Sequence, residues 1–152
     1  MGASTLIGRG LLSGAAGTAA MTAVQMVEMK GQGREPSTTP AEAVEKVLDV
    51  EPQGQEAEQR LSNVTHWAYG TAWGIPRAAL GAIGLRGLWG TALHFGMVWG
   101  SALVMLPHLG LAPPAPRWGK EELGKDALRH AVYALVAGST YAWLSRRDRA
   151  AG

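Results

Sequence analysis

Twenty consecutive residues, Gly87 to Leu106, carry no formal charge, and His94 is the one titratable side chain among them. That length matches the ~20 residues an α-helix needs to cross the ~30 Å hydrocarbon core of a bilayer. A second run, Gly10 to Val27, is uncharged over 18 residues between Arg9 and Glu28. Charges crowd instead into residues 28–62, 117–129 and the C-terminus, so a mean hydropathy of zero conceals segregation. Only 17 % of the 152 residues are charged, against ~25 % in soluble domains. Twenty-one glycines and a single phenylalanine also make a poor water-excluding core, since burial energy scales with apolar area. The pattern predicts an all-α fold, a four-transmembrane-helix bundle with spans at about 8–27, 63–83, 87–106 and 127–145. A water-soluble helical domain is the alternative architecture, and a cleaved signal peptide the alternative reading of residues 10–27.

The polar loop 28–62 between the first two spans holds a short amphipathic helix over about 40–49. Thr39-Pro40-Ala41-Glu42 has the form of a capping box with proline at the first helical position. Val44, Val47 and Leu48 supply an apolar stripe at helical spacing. Within the second span, Pro76 predicts a kink. The fourth apolar stretch, 131–144, rises only about 21 Å as a helix, so its span must include flanking polar residues. Trp67, Trp89 and Trp143 fall near span ends, as interfacial aromatic residues do. Trp118 belongs to an external loop, and Trp73 and Trp99 lie deeper, as packing residues.

Arg9, Arg77, Arg86, Arg146, Arg147 and Arg149 fall on one side of this layout with Asp148, leaving eight basic and eleven acidic residues on the other. Orientation follows basic residues in short loops beside helix ends, and these are denser on the first side. Both termini are therefore expected in the cytoplasm, in the inner membrane of a bacterium. The lipid bilayer is the expected partner, alongside a homo-oligomer or a larger membrane complex. No basic block forms a nucleic-acid footprint.

Three small-xxx-small pairs, Gly10/Gly14, Gly70/Gly74 and Gly96/Gly100, predict helix packing by close backbone approach, the way helices associate in lipid. The four histidines do not form one ring. His66 falls about 5 Å below the outer end of its span and Arg77 about 21 Å below it, while His94 rises about 10 Å from the inner end. Arg77 and His94 therefore share a depth and form a candidate intramembrane polar site, because buried charge in a membrane is costly and often functional. The ordinary reading of Arg77 is snorkelling to lipid phosphate; the functional ones are a bond to His94 or a water-filled anion site. His66 and His130, near the outer boundary, are metal-ligand or proton-sensing candidates with Glu28, Glu121, Glu122 or Asp126. Their ordinary reading is interfacial hydrogen bonding. A bis-histidine haem on His94 with His66 or His130 is disfavoured by the depth mismatch.

The chain has no cysteine, which excludes disulfides and thiolate chemistry. It also lacks a nucleophile elbow, a phosphate-binding loop and a zinc-protease motif. Ser13, Ser101 and Ser139 read as hydroxyls bonded to their own helices. No cofactor or catalytic residue is expected. The chain reads as non-enzymatic, with an envelope or accessory-subunit role. The alternatives are a small transporter or channel protomer using Arg77 and His94, and a metal- or haem-binding membrane subunit.

Gly14-Ala15-Ala16-Gly17-Thr18-Ala19-Ala20-Met21 is one of several segments with a family likeness. With it go His66-x2-Tyr69-Gly70-x3-Gly74, Leu109-Gly110-Leu111-Ala112-Pro113-Pro114, Glu121-Glu122 and His130-x2-Tyr133. Over residues 6–144, apart from 50–60, the chain resembles the YagU-like group of small bacterial inner-membrane proteins of uncharacterised function. The resemblance implies a multi-pass helical protein, which supports the short fourth span. It carries over no catalytic residues.

Overall fold

A computed structural model describes residues 2–33 and 35–151, with side chains up to Arg146. Among the described residues there are six α-helices, one 3-10 turn and no strand. They are α1 (Ala3–Gln32), α2 (Thr39–Leu48), α3 (Gln55–Ala72), α4 (Gly74–Ala82), α5 (Gly87–His108) and α6 (Lys120–Ala151). The turn, Ala115–Arg117, lies in the proline-rich loop between α5 and α6. The all-α expectation holds; the number of spans does not follow from it. Two helices, α1 and α5, are long and apolar enough to cross a membrane by length and composition. Among the described residues the other helices fall short: α4 has only 9 residues, and polar residues occupy much of α3 and α6.

Most predicted span boundaries shift outward, because a helix stops at a stop signal and not where charge begins. The start of α5 at Gly87 is as expected, and α4 ends at Ala82, one residue inside the predicted limit. α1 runs on to Gln32 and ends at Gly33, whose φ of +60° is the left-handed conformation that glycine tolerates best. Its amide donates back to the Met29 carbonyl. α6 starts at Lys120 and forms one helix of 32 residues, so its length, about 48 Å, is ample. Lys125 donates to Glu121 at 2.6 Å in its first turns. That bond lowers the Glu121 carboxyl and raises the Lys125 ammonium, but such a surface pair contributes little to stability.

The predicted kink is a full break. Pro76 would drive its ring into the carbonyl four residues earlier, which is Ala72, the last residue of α3. Trp73 bridges α3 and α4 in a right-handed helical conformation. In the polar segment, α2 begins one residue earlier than expected. Thr38, not Thr39, precedes the helix, and its hydroxyl donates to Glu42 Oε1 at 2.7 Å.

α1 is the hub. It packs along α6 and against both α3 and α4, while α5 packs on α6 and α4, and α2 lies on α3. Gly10 and Gly14 of α1 lie directly on Gly70, Thr71 and Gly74 at the α3–α4 break, so that two glycine pairs face each other. A Cβ added at Gly14 would overlap the Thr71 carbonyl, and one at Gly10 would reach 2.9 Å from Ile75 Cα. Gly96 and Gly100 behave otherwise: a Cβ at either meets nothing within 4 Å, so this pair makes no close approach among the described residues. Four glycines outside the predicted pairs do. Gly17 lies on the Tyr133 ring, Gly81 on the Tyr141 ring, Gly90 on the Leu85 carbonyl and Gly138 on Thr91.

Candidate functional site

The interior is polar for its size. Ser13, Thr18, Ser62, Arg77 and His94 are buried, and Arg77 and His94 are among the largest fully enclosed side chains. The apolar core beside them is thin: Val98, Tyr133, Ala134 and Ala137, with Met21, Trp73 and Phe95 packed around them.

His94 of α5 is placed by the α3–α4 break. Its Nε2 lies 2.9 Å from the Trp73 carbonyl oxygen. A carbonyl only accepts, so Nε2 carries the proton and Nδ1 is left as a lone pair. Nδ1 is buried without a hydrogen-bond partner. The imidazole also leans on the Tyr133 ring, 5.7 Å between centroids, and Tyr133 donates its hydroxyl to the Gly70 carbonyl at 2.6 Å. Both carbonyls belong to the segment where proline interrupts regular helix.

Arg77 of α4 is 1 % exposed and within electrostatic reach of His94. Its guanidinium carbon sits 4.9 Å from the centroid of the Tyr141 ring, a cation–π contact. Nε and Nη1 are buried with no hydrogen-bond partner. Gly138 and Gly90 lie beside these two nitrogens. Enclosure of this kind is not snorkelling, which requires the charged head to reach the polar boundary.

Arg77 also lines a cavity of about 800 Å³ at the end of the bundle that holds the start of α1, the 83–86 turn and the end of α6. Arg9, Arg86, Arg146, Tyr141 and Ser145 line it as well. Arg86 Nε donates to the Gly81 carbonyl at 3.3 Å. The Ser145 hydroxyl is buried without a partner. Among the described residues no carboxylate lines this space.

A second cavity, of about 450 Å³, lies at the opposite end beneath the 33–40 segment. His66 and Thr22 form its inner wall, with Nε2 and Oγ1 3.0 Å apart, and Glu28 and Arg129 also line it. Arg129 Nε donates to Glu28 Oε2 at 2.6 Å, pinning α6 to α1. His130 is within electrostatic reach of His66, and its Nδ1 donates to the Asp126 carbonyl at 2.8 Å. Of the carboxylates expected near the histidines, Asp126 accepts from Trp99 Nε1 at 2.9 Å and its Oδ2 also lies 3.6 Å from His130 Nδ1, while Glu28 takes Arg129, and Glu121 and Glu122 pair with Lys125. Among the described residues no three His, Cys, Asp or Glu side chains gather as a metal site. His108 Nδ1 donates to the Val104 carbonyl of its own helix at 2.8 Å. Ser13 and Ser101 donate to the Arg9 and Val98 carbonyls of theirs.

The sequence pointed to Arg77 and His94 but not to the arginines, Tyr141 and Ser145 that surround the first cavity. Those residues lie on three separate segments, α1, the 83–86 turn and α6; the layout placed the arginines on one side, but nothing in their local patterns brings them to one cavity. Comparison with protein-family models, curated proteins and solved structures finds no match for this chain.

Proposed function

We propose that this chain is a four-span protein of the bacterial cytoplasmic membrane, of the YagU-like kind, acting without catalytic chemistry as an envelope or accessory subunit. The observation that carries the reading is its reversed polarity. Ile83, Leu88, Trp89, Leu12 and Val104 are each at least 60 % exposed, while Arg77, His94, Ser13 and Thr18 are enclosed. In water this arrangement forfeits hydrophobic burial. In lipid it costs nothing on the outside, and small residues let helices close around polar groups.

Two ordinary explanations of the apolar helices fit less well. A core helix of a soluble protein is mostly buried, yet only 28 % of the α1 window and 17 % of the α5 window are. A signal sequence leaves no fold behind, whereas α1 packs on three other helices. The other two spans are the α3–α4 pair, which presents Arg77 inward, and the 127–145 part of α6. Arg9, Arg86 and Arg146 gather at one end, which supports cytoplasmic termini.

The natural absence of cysteine makes the test direct. The protein should stay in membranes through alkaline carbonate washing, and release into the soluble fraction refutes the reading. In intact cells an impermeant maleimide should label Gln53→Cys, while Ile83→Cys should react only after permeabilisation.

One observation favours a second reading, a small transporter or channel protomer. The two cavities open at opposite ends, and His94, Tyr133 and Thr18 are buried polar side chains in the bundle between Arg77 and the Thr22–His66 pair. Proteoliposome flux that is unchanged by Arg77→Ala in folded protein would remove it. A metal- or haem-binding subunit gains no comparable support, since among the described residues no three His, Cys, Asp or Glu side chains gather as a metal site.

A further inference from the structure

We propose that the end of α2 dips into the lipid–water interface on the outer side of the membrane, seating Val47, Leu48 and Val50 among lipid chains beside the headgroups. The inference rests on the membrane reading above and adds a lipid contact outside the four spans. In sequence α2 carries an apolar stripe, Val44, Val47 and Leu48, suited to packing. The helix lies on α3, yet Ala41 is its one buried residue. Val47 and Leu48 are 65 % and 64 % exposed, and Val50 just beyond the helix is 43 % exposed. Apolar residues scattered singly on a surface need no explanation. Three within four positions, at the end of a helix, do.

Position, area and charge select lipid as the occupant. The 22 residues of α5 rise about 33 Å, enough to cross the hydrocarbon core. Gly110 follows two positions after the end of α5, and a Cβ added there would lie 3.5 Å from Lys46 Nζ. The end of α2 is therefore held level with the outer end of a span, where chains give way to headgroups. Val104, in the closing turns of that span, is 60 % exposed. A stable protein partner would need about 800 Å² from each side, more than three aliphatic side chains expose. A bilayer interface has no such threshold, and takes in the apolar face of a surface helix. Glu42, Glu45, Asp49 and Glu51 outnumber Lys46 along this segment. The contact therefore gains nothing from anionic headgroups, unlike the basic helices that bind them, and rests on apolar area alone. At the other end of α2, Pro40 lines the outer cavity and Ser62 Oγ donates to the Ser37 carbonyl at 2.9 Å. The helix thus runs from the wall of that cavity to the lipid.

The chain has no cysteine, so a single introduced thiol can carry an environment-sensitive NBD fluorophore. The full chain is placed in phosphatidylcholine nanodiscs with and without doxyl-labelled phosphatidylcholine, a quencher confined to lipid. Leu48→Cys is compared with Val104→Cys as the lipid-facing reference and Gln53→Cys as the aqueous one. Doxyl lipid should lower the Leu48 emission at least ~2-fold, as burial of an apolar helix face in the interface implies, and should barely change that of Gln53. Val47→Ser/Val50→Ser alters two exposed side chains and should move the Leu48 signal to the Gln53 level. Quenching that survives this change comes from the fluorophore itself and overturns the proposal. Leu48 emission that ignores doxyl lipid also overturns it; if that emission is blue-shifted, a protein partner covers the site instead. Adding phosphatidylglycerol should leave the quenching unchanged or weaker, and a stronger signal would overturn insertion by apolar area alone. Quenching at Val104 but not at Leu48 removes this inference and leaves the membrane reading standing. Absence of quenching at Val104 refutes that reading, and this inference with it.

Discussion

At Gly14 an added methyl group meets the carbonyl oxygen of Thr71, whereas at Gly96 it meets nothing within 4 Å. Both glycines stand in small-xxx-small pairs that look alike in sequence, so substitution separates their roles. Gly14→Ala forces α1 away from the α3–α4 break and should destabilise the protein by about 1–3 kcal/mol, as overpacking does. Gly96→Ala should be neutral or stabilising by up to about 1 kcal/mol, the helix-propensity gain. Thermal unfolding in detergent, followed by tryptophan fluorescence, compares the two directly; equal losses would contradict the placement of Gly96. Tyr133→Phe keeps the ring on Gly17 and His94 but loses the bond to the Gly70 carbonyl. Its expected cost is about 0.5–1.5 kcal/mol, read in the same assay. The sequence marked Gly10, Gly14, Gly70 and Gly74 because a four-residue repeat exposes one helix face. It was silent on Gly17, Gly81, Gly90 and Gly138, because each meets a side chain or backbone atom of a separate segment, and a lone glycine records nothing of its neighbour.

Among the elements, α1 and α6 are tied at one end by Glu28 and Arg129, 101 positions apart and each about one-fifth exposed. Removing either partner leaves a largely enclosed charge unmatched. Glu28→Gln and Arg129→Gln should each cost about 1.5–3 kcal/mol, the worth of a hydrogen bond to a charged group. The double variant should lose less than the sum, because the two changes share one interaction. A double-mutant cycle on detergent-solubilised protein measures this, and strict additivity would show that the contact contributes nothing. The apolar runs made helices legible but not their ends. Charged residues such as Glu28 and Arg129 continue a helix readily, so α1 and α6 each extend well past the predicted span. Pro76 was legible as an interruption. That the Trp73 carbonyl at the break meets His94 was not, since the bond depends on how α5 returns alongside the break.

For the molecule as a whole, the arrangement of charge decides how it sits. One end of the bundle collects Arg9, Arg86 and Arg146 close to helix termini, while the other mixes basic residues such as Arg60 and Arg129 with Glu28 and Glu35. Basic residues in short loops resist transfer across the membrane and acidic residues count little, so the first end should be retained in the cytoplasm. The 83–86 turn is the shortest connection between proposed spans, and Arg86 is its single charge. Replacing Arg9 and Arg86 together by glutamine removes the retained charge from both early loops and leaves the C-terminal arginines to act alone. In a Gln53→Cys background, the fraction of protein labelled from outside intact cells should fall markedly, because part of the population inserts inverted. If labelling is unchanged, orientation is set by the C-terminal cluster of Arg146, Arg147 and Arg149. Adding Arg146→Gln to the pair then separates the contribution of that cluster's first member.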